Sequence, residues 1–260
     1  MPLKSRLIFE LLFFDGSFVQ SRNFRHQKVG NVDWLMTSYD LPHLAESVDE
    51  IFISDLSKNS RPTEGFKLAV SRIIENVRVP VTLGGGVVSL EDAEQLLAMG
   101  ADKVVVNTGF FEDPSKLSQV SIVHGKQFVV LSLDWTRDEF GRARIMKRGG
   151  QTPACLFEDV PWDTISDTFG EILLKSIDRD GTGNGLDLDS LDFIPRDVKL
   201  PIVLSGGIGK PEHIIQGLAE PRVSGVATAN LLNFVGQSMG NARADAIGRG
   251  ANLSSSSKPL

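Results

Sequence analysis

The stretch Pro80-Val81-Thr82-Leu83-Gly84-Gly85-Gly86 decides the fold, because the chain contains it twice. The second copy is Pro201-Ile202-Val203-Leu204-Ser205-Gly206-Gly207, which aligns on the first without a gap. At the same separation, Glu50-Ile51-Phe52-Ile53 aligns on Glu171-Ile172-Leu173-Leu174. Each copy joins a short apolar strand to a glycine turn that leads into a helix. Such a repeat predicts two half-barrels that close on each other as one α/β fold, a (β/α)8 TIM barrel.

Eight short apolar segments supply the strands that this barrel needs. They are residues 7–14, 50–56, 81–84, 103–106, 128–134, 171–177, 202–205 and 225–227. Ser89 as N-cap and Gly100 as stop predict a helix between strands three and four. Alternating charges between glycines at 140–150 predict a hairpin after strand five. We expect the barrel over residues 1–236 and a weakly structured tail over 237–260, where glycines and serines are frequent.

Bulk properties exclude several classes of protein. The net charge of -6 and the pI near 5.3 argue against a nucleic-acid surface. The single Cys155 permits no internal disulfide and indicates a reducing compartment, so we expect a cytoplasmic protein. The chain has no apolar run of transmembrane length and no histidine or cysteine pairs at metal-binding spacing. We therefore expect no membrane, no metal and no cofactor.

Polar groups and glycine turns follow the strands at the end of the barrel where chemistry takes place. Backbone N–H groups of glycine turns bind phosphate. The first expected phosphate site consists of Gly85, Gly86, Asn107 and Thr108, and the second of Gly206, Gly207, Ala229 and Asn230. The alternative is that the glycines only permit tight turns. Because two related turns are each accompanied by a polar strand end, the sequence favours a substrate with a phosphate at each end.

Two further features lie at the same end of the predicted barrel. Asp134 ends strand five and is a candidate general acid or base, or else an N-cap or ion-pair partner. Residues 178–183, with Asp180 and Gly181, form either an ordinary turn or a flexible loop that binds substrate.

The opposite end of the barrel carries charges. Arg6, Glu50, Lys103 and Glu171 begin strands one, two, four and six. Alternate residues of a barrel strand point inward, so these four side chains can meet on the axis. They form either a stabilising plug of ion pairs or a gate for a small molecule that enters from below.

From Arg6 to about residue 234 the chain resembles the cyclase subunit of imidazole glycerol phosphate synthase. The resemblance is strongest at residues 81–107 and 170–185, which include GEILLKSIDRDGTGNG. It implies a barrel that receives ammonia from a glutaminase docked at the bottom and holds a substrate with two phosphates at the top. It also implies that the four bottom charges form the gate, that the two turns bind the phosphates, and that Asp134 is one of two catalytic carboxylates.

The chain departs from this family pattern on strand one. The family has Cys-Leu-Asp-Val-Lys-Asp-Gly, whereas residues 10–16 read Glu-Leu-Leu-Phe-Phe-Asp-Gly. Leu12 therefore occupies the place of the second catalytic Asp, and Gln20 that of a lysine that binds phosphate. Glu10 shares the inward parity of Leu12 one layer deeper, and serves either the ammonia path or a core network.

Strand six carries a further departure. Lys175 stands where the family has a small polar residue, and we expect it to assist Asp134 in catalysis.

Three functions remain open from the sequence. The first is an ammonia-using synthase subunit with a changed acceptor, such as a sugar of surface polysaccharide that receives an acetamido or amidino group. The second is the histidine-biosynthesis cyclase that forms imidazole glycerol phosphate and AICAR. The third is a barrel without catalytic activity that regulates a glutaminase.

Overall fold

The computed structural model describes residues 4–57, 62–230 and 238–255, and a closed barrel of parallel strands occupies its centre. The strands of these ranges are β1 (Arg6–Phe14), β2 (Ser17–Arg22), β3 (Arg25–Gly30), β4 (Glu50–Asp55), β5 (Val81–Gly84), β6 (Lys103–Val106), β7 (Val129–Arg137), β8 (Ala143–Lys147), β9 (Thr152–Leu156), β10 (Glu171–Ser176), β11 (Ile202–Ser205) and β12 (Val223–Thr228). Eight of them are parallel and pair in the order β1, β4, β5, β6, β7, β10, β11 and β12. Because β12 pairs again with β1, the ring of eight parallel strands has no edge. The predicted (β/α)8 barrel is confirmed.

Helices surround the barrel. They are α1 (Val32–Thr37), α2 (Leu41–Ala45), α3 (Glu64–Ile74), α4 (Leu90–Ala98), α5 (Thr108–Glu112), α6 (Pro114–His124), α7 (Trp162–Thr168), α8 (Pro211–Ala219) and α9 (Ser238–Gly248). Helix α4 begins as predicted, because the Ser89 side chain accepts a hydrogen bond from the N–H of Asp92. A 3₁₀ segment, Leu188–Phe193, lies between β10 and β11. Within the described ranges, no helix is both long enough and apolar enough to cross a membrane.

Four antiparallel strands extend the barrel at its C-terminal end. β2 pairs with the end of β1 and with β3, so a hairpin follows strand one. The sequence analysis missed this hairpin, because β3 has exposed polar residues and lacks alternation. The hairpin expected at 140–150 is larger than predicted, because β8 pairs with both β7 and β9.

The C-terminal tail differs from the expectation. Residues 238–248 form helix α9 although Gly240 and Gly248 lie within it. Tertiary contacts outweigh the low helix propensity of glycine, because the Arg243 guanidinium makes two hydrogen bonds to the Asp49 carboxylate at 2.7 and 2.8 Å. Arg243 also bonds the side chain of Ser254 at 2.7 Å. The tail expected to be weakly structured thus contains a helix over 238–248, while residues 231–237 and 256–260 lie outside the described residues.

We predict that Arg243→Met lowers the free energy of unfolding by about 3 kcal/mol, because it leaves a largely buried carboxylate without its cation. The matched control is Arg249→Met, directly after the same helix, whose exposed pair with Asp245 is worth about 0–1 kcal/mol. Urea denaturation of both variants measures the difference. Equal midpoints for the two variants would contradict this role of Arg243.

Candidate active site

The four charged strand starts meet on the barrel axis. The Arg6 guanidinium donates to Glu50 at 2.7 Å and also pairs with Glu171. Lys103 Nζ lies 3.3 Å from Glu50 Oε1 and 3.1 Å from Glu171 Oε2. Each carboxylate thus contacts both cations, as two buried anions require. The structure brings together the four residues that inward parity selected, and we call them the basal ring.

An apolar layer lies directly above the basal ring. Its side chains come from the next inward position of the strands, and they form a cluster separate from the core between barrel and helices. Its members are Ile8, Phe52, Val130, Leu173, Val203 and Ala227, with Val105 packed against them. All six are at most 2% exposed. Along the strands that carry the basal ring, the interior of the barrel therefore changes from charged to apolar within two residues.

A cavity of about 850 Å³ opens above this layer, at the C-terminal ends of the strands. This volume lies within the range of about 300–1,000 Å³ that is usual for ligand sites. Its lining includes Asp134, Lys175 and Asp180, together with the first glycine turn. The structure thus gathers in one cavity the residues that the sequence assigned to chemistry and to the first phosphate.

The floor of the cavity is charged. Lys175 Nζ forms an ion pair with Glu10 Oε1, and Ser205 Oγ donates to Glu10 Oε2 at 3.1 Å. Asp134 lies beside Lys175 in the pairing of β7 with β10, and it accepts a hydrogen bond from Ser132 Oγ at 2.6 Å. Glu10 was expected to serve either the ammonia path or a core network, and its carboxylate belongs to this network with Lys175 and Ser205.

Burial and neighbouring charges shift two pKa values here. Burial raises the pKa of Asp134, although the nearby Lys175 and the Ser132 hydroxyl oppose the shift. Burial alone would lower the pKa of Lys175, but the carboxylates of Glu10 and Asp134 outweigh it, so this pKa is raised. Asp134 can thus carry a proton more readily than an exposed aspartate, while Lys175 stays charged.

The first glycine turn faces the large cavity. Gly85 has φ +123°, and an added Cβ would lie 2.5 Å from the carbonyl oxygen of Asp55, so only glycine fits. The amide of Asn107 donates to two backbone carbonyls at 3.0 and 3.2 Å, and Thr108 Oγ1 accepts from the N–H of Arg148 at 2.9 Å. These two side chains therefore hold the loops in place. Gly86 completes the turn and also lines the cavity.

The second glycine turn lines a smaller pocket. Gly206, Gly207, Ala229 and Asn230 surround a space of about 20 Å³ together with Gln20. Gln20 Nε2 donates to the Asn230 side chain at 3.4 Å, so an amide stands here where the family pattern has a lysine. Ser21 and Asp180 line both spaces, which therefore adjoin.

Asp180 holds the β2–β3 hairpin over the cavity. Its carboxylate accepts from Ser21 Oγ at 2.5 Å and from the N–H of Phe24 at 3.0 Å, and its carbonyl oxygen accepts from the N–H of Asn23 at 3.0 Å. Gly181 packs so closely that a Cβ would lie 2.2 Å from the carbonyl oxygen of Ser21. In this structure the 178–183 segment is fixed to the hairpin, whereas the sequence left open a flexible loop.

Several cavity residues were missed by the sequence analysis. Asp55 ends β4 as Asp134 ends strand five, and burial raises the pKa of its carboxyl group. The position of Asp55 at the end of a strand is the sequence signal by which it could have been recognised. His26 comes from the unpredicted hairpin, with its ring 6.0 Å from that of Phe14. Burial and Lys175 lower the pKa of His26, although Asp180 opposes them.

Comparisons with known proteins give one consistent result. The model of the histidine biosynthesis protein family matches residues 8–237. A relative from Parasynechococcus marenigrum (strain WH8102), named "Putative imidazole glycerol phosphate synthase subunit hisF2", is 38% identical over 244 residues. The alignment covers 91% of this chain and 88% of that protein.

We predict that Gly85→Ala lowers the free energy of unfolding by about 1–3 kcal/mol, because its Cβ has no space beside Asp55. Gly248→Ala is the control, since a Cβ there meets no atom within 4 Å. Urea denaturation measures both variants. A Gly85→Ala protein as stable as the control would show that the turn tolerates a side chain.

Proposed function

Because the chain belongs to the histidine biosynthesis protein family, we propose that it is the synthase subunit of a glutamine amidotransferase complex. In this proposal a glutaminase docks at the bottom of the barrel, ammonia passes along the axis, and an acceptor that carries phosphate is aminated in the upper cavity. The observation that carries the proposal is the order of layers on the axis: a basal ring of charges, an apolar layer, and a charged cavity floor.

The apolar layer favours ammonia as the molecule that moves along the axis. Uncharged ammonia is small and crosses an apolar layer at much lower cost than an ammonium ion or any other charged species. The basal ring below the layer has alternating charges that can separate to admit a small molecule. Glu50 and Glu171 together balance Arg6 and Lys103, so the ring is neutral as a whole.

The upper cavity supports an acceptor with phosphate groups. The first turn offers backbone N–H groups in a site that only glycine can form, and Arg148 lines the same cavity. The second turn adjoins it at the smaller pocket. We assign the two phosphates to these turns.

Chemistry in this proposal depends on Asp134 and Lys175. Asp134 transfers protons, because burial raises the pKa of its carboxyl group above that of an exposed aspartate. Leu12 is 5% exposed and lines the same cavity, so the wall where the family has a second catalytic Asp is apolar here. This difference favours an acceptor other than that of the histidine pathway, and a sugar destined for surface polysaccharide is the class we propose.

A second candidate function is the cyclisation that forms imidazole glycerol phosphate and AICAR. The family match and the name of the relative favour it. It would have to proceed with Asp134 and without an acid at position 12. The third candidate, a regulator of glutaminase without catalytic activity, has no need of a charged cavity floor, which disfavours it.

We predict that the barrel forms a complex with a glutaminase subunit of the same organism and raises its glutaminase activity. Arg78 and Lys199 are exposed in the loops that precede β5 and β11, at the bottom of the barrel. Replacing either with Glu should weaken the complex, whereas Arg148→Glu at the top should not. Gel filtration and glutamine hydrolysis are the measurements. A barrel that elutes alone and leaves hydrolysis unchanged would refute the proposed partner.

We predict that Asp134→Asn reduces ammonia incorporation by about 10²–10⁴-fold. The measurement is 15N transfer from ammonium salt into small molecules of an extract from the same organism, followed by mass spectrometry. Asp163→Asn, on the exposed surface of α7, is the control.

Stability should not fall with Asp134→Asn. Burial raises the folded pKa of Asp134 above its unfolded value, so the free energy of unfolding falls as the pH rises from the unfolded pKa through the folded pKa. At a pH above both values the buried carboxylate destabilises the fold. Asn carries no such cost. Near-normal 15N incorporation in the variant would assign proton transfer to another residue.

We predict that the unmodified chain does not restore growth of a strain that lacks the histidine-pathway cyclase, and that Leu12→Asp gains measurable cyclisation. The new carboxylate would face the cavity that Asp134 lines. Leu12→Asn is the control, because asparagine has nearly the same shape as aspartate but has no acidic group. Growth supported by the unmodified chain at the normal rate would favour the second candidate function.

A further inference from the structure

The ion pair between Glu10 and Lys175 crosses the inside of the barrel. Glu10 lies on β1, whose barrel neighbours are β4 and β12, whereas Lys175 lies on β10, between β7 and β11. The two side chains therefore meet across the lumen rather than along adjacent strands. Glu10 is 1% exposed, and the Lys175 side chain is 12% exposed on the cavity side. This pair forms the boundary between the apolar layer and the cavity.

Glu10 depends on Lys175, because its carboxylate is 1% exposed and would otherwise be a buried anion without this cation. Without Glu10, Lys175 would lose its direct ion-pair partner, although Asp134 and Asp180 would remain near it. Glu10 and Lys175 are also two of the positions where the chain departs from the family pattern. Two departures on distant strands thus form one contact, which indicates that they act together.

A buried lysine can have two kinds of chemistry. An amine whose pKa is lowered by an apolar site becomes a base or a nucleophile, whereas an amine held charged binds negatively polarised oxygen. The surroundings of Lys175 decide between them. Glu10 from β1, Asp134 from β7 and Asp180 from the loop after β10 are the carboxylates that face it. His26 from the hairpin is near enough to interact with its charge.

We infer that Glu10 is a positioning residue that fixes Lys175 as an ammonium ion at the cavity floor, where Lys175 binds a negatively polarised oxygen of the acceptor and leaves proton transfer to Asp134. This inference rests on the proposed function and names the state in which Lys175 takes part in it. Lys175 then neither accepts a proton from ammonia nor forms an imine with the acceptor.

The pair also connects the floor to the second glycine turn. Glu10 uses one carboxylate oxygen for Lys175 and the other for Ser205 Oγ at 3.1 Å, and Gly206 follows directly. The ammonium is therefore held at a fixed position relative to the turn to which we assign a phosphate. An acceptor that fits has a phosphate at one end and an oxygen-bearing reactive group at the depth of Lys175.

The test is trace labelling of lysine amines with acetic anhydride across pH 7–11, read for each lysine by peptide mass spectrometry. Only the uncharged amine reacts, so the pH of half-maximal labelling reports the protonation of each lysine. We expect Lys175 in the unmodified chain to reach half-maximal labelling at a higher pH than the exposed Lys116. Half-maximal labelling at a lower pH than that of Lys116 would overturn the inference without any variant.

The variant Glu10→Gln keeps the shape of the side chain and removes its charge. We expect it to lower the half-maximal pH of Lys175 by about 1–3 units, the shift typical of a lost neighbouring charge. The variant Glu10→Asp keeps the carboxylate, so the labelling profile of Lys175 should stay close to that of the unmodified chain. The matched control is Glu64→Gln beside Lys67 on the surface of α3, where solvent screens the pair and the profile should not move.

Unchanged profiles of Lys175 in Glu10→Gln would mean that Glu10 has only a structural role. The labelling needs neither acceptor nor glutaminase, so its result is separate from that of the complex-formation experiment. If the complex forms but Lys175 reaches half-maximal labelling at a lower pH than Lys116, the amidotransferase role stands and only the role of Glu10 is overturned. If Lys175 is labelled only at high pH but the barrel binds no glutaminase, the role of Glu10 stands and the proposed amidotransferase complex is overturned.

Discussion

The arrangement of this barrel depends on the pairing of charges inside a closed sheet. Eight strands leave an interior that side chains fill, so any charge directed inward has little access to water. The chain directs charges inward at two levels, and each level is balanced within itself. The basal ring joins two cations to two carboxylates, and the upper pair joins Lys175 to Glu10. Between them lies the apolar layer.

This separation gives each end of the barrel a different chemistry. Below the apolar layer, the alternating charges of the basal ring add up to no net charge. Above it, the floor presents one ammonium next to a carboxyl whose pKa is raised by burial. The two hairpins at the top complete the cavity, and Asp180 fixes one of them by accepting hydrogen bonds from Ser21 and Phe24. Cavity shape therefore depends on contacts between loops that are far apart in the sequence.

The residues of strand one that differ from the family pattern change the cavity together. Leu12 removes an acid from the cavity wall, Glu10 adds one a layer deeper, and Lys175 supplies its partner from across the barrel. Phe14 follows at the mouth, with its ring near His26. The result is a cavity that keeps the glycine turns and Asp134 of the family pattern but has a different charge distribution at its floor. That combination is the physical basis for proposing the same type of complex with a different acceptor.

The sequence by itself determined the barrel, because an internal repeat and short strands with inward parity are local signals that survive without knowledge of contacts. It also selected the four residues of the basal ring and the inward position of Asp134 on strand five, although β7 continues beyond it to Arg137. It did not predict helix α9, because glycines lower helix propensity and tertiary contacts such as Arg243–Asp49 outweigh them. It did not predict the β2–β3 hairpin, whose turn is held by Asp180 more than 150 residues away. Only the tertiary structure decided that Glu10 belongs to Lys175, since β1 and β10 face each other solely in the closed barrel.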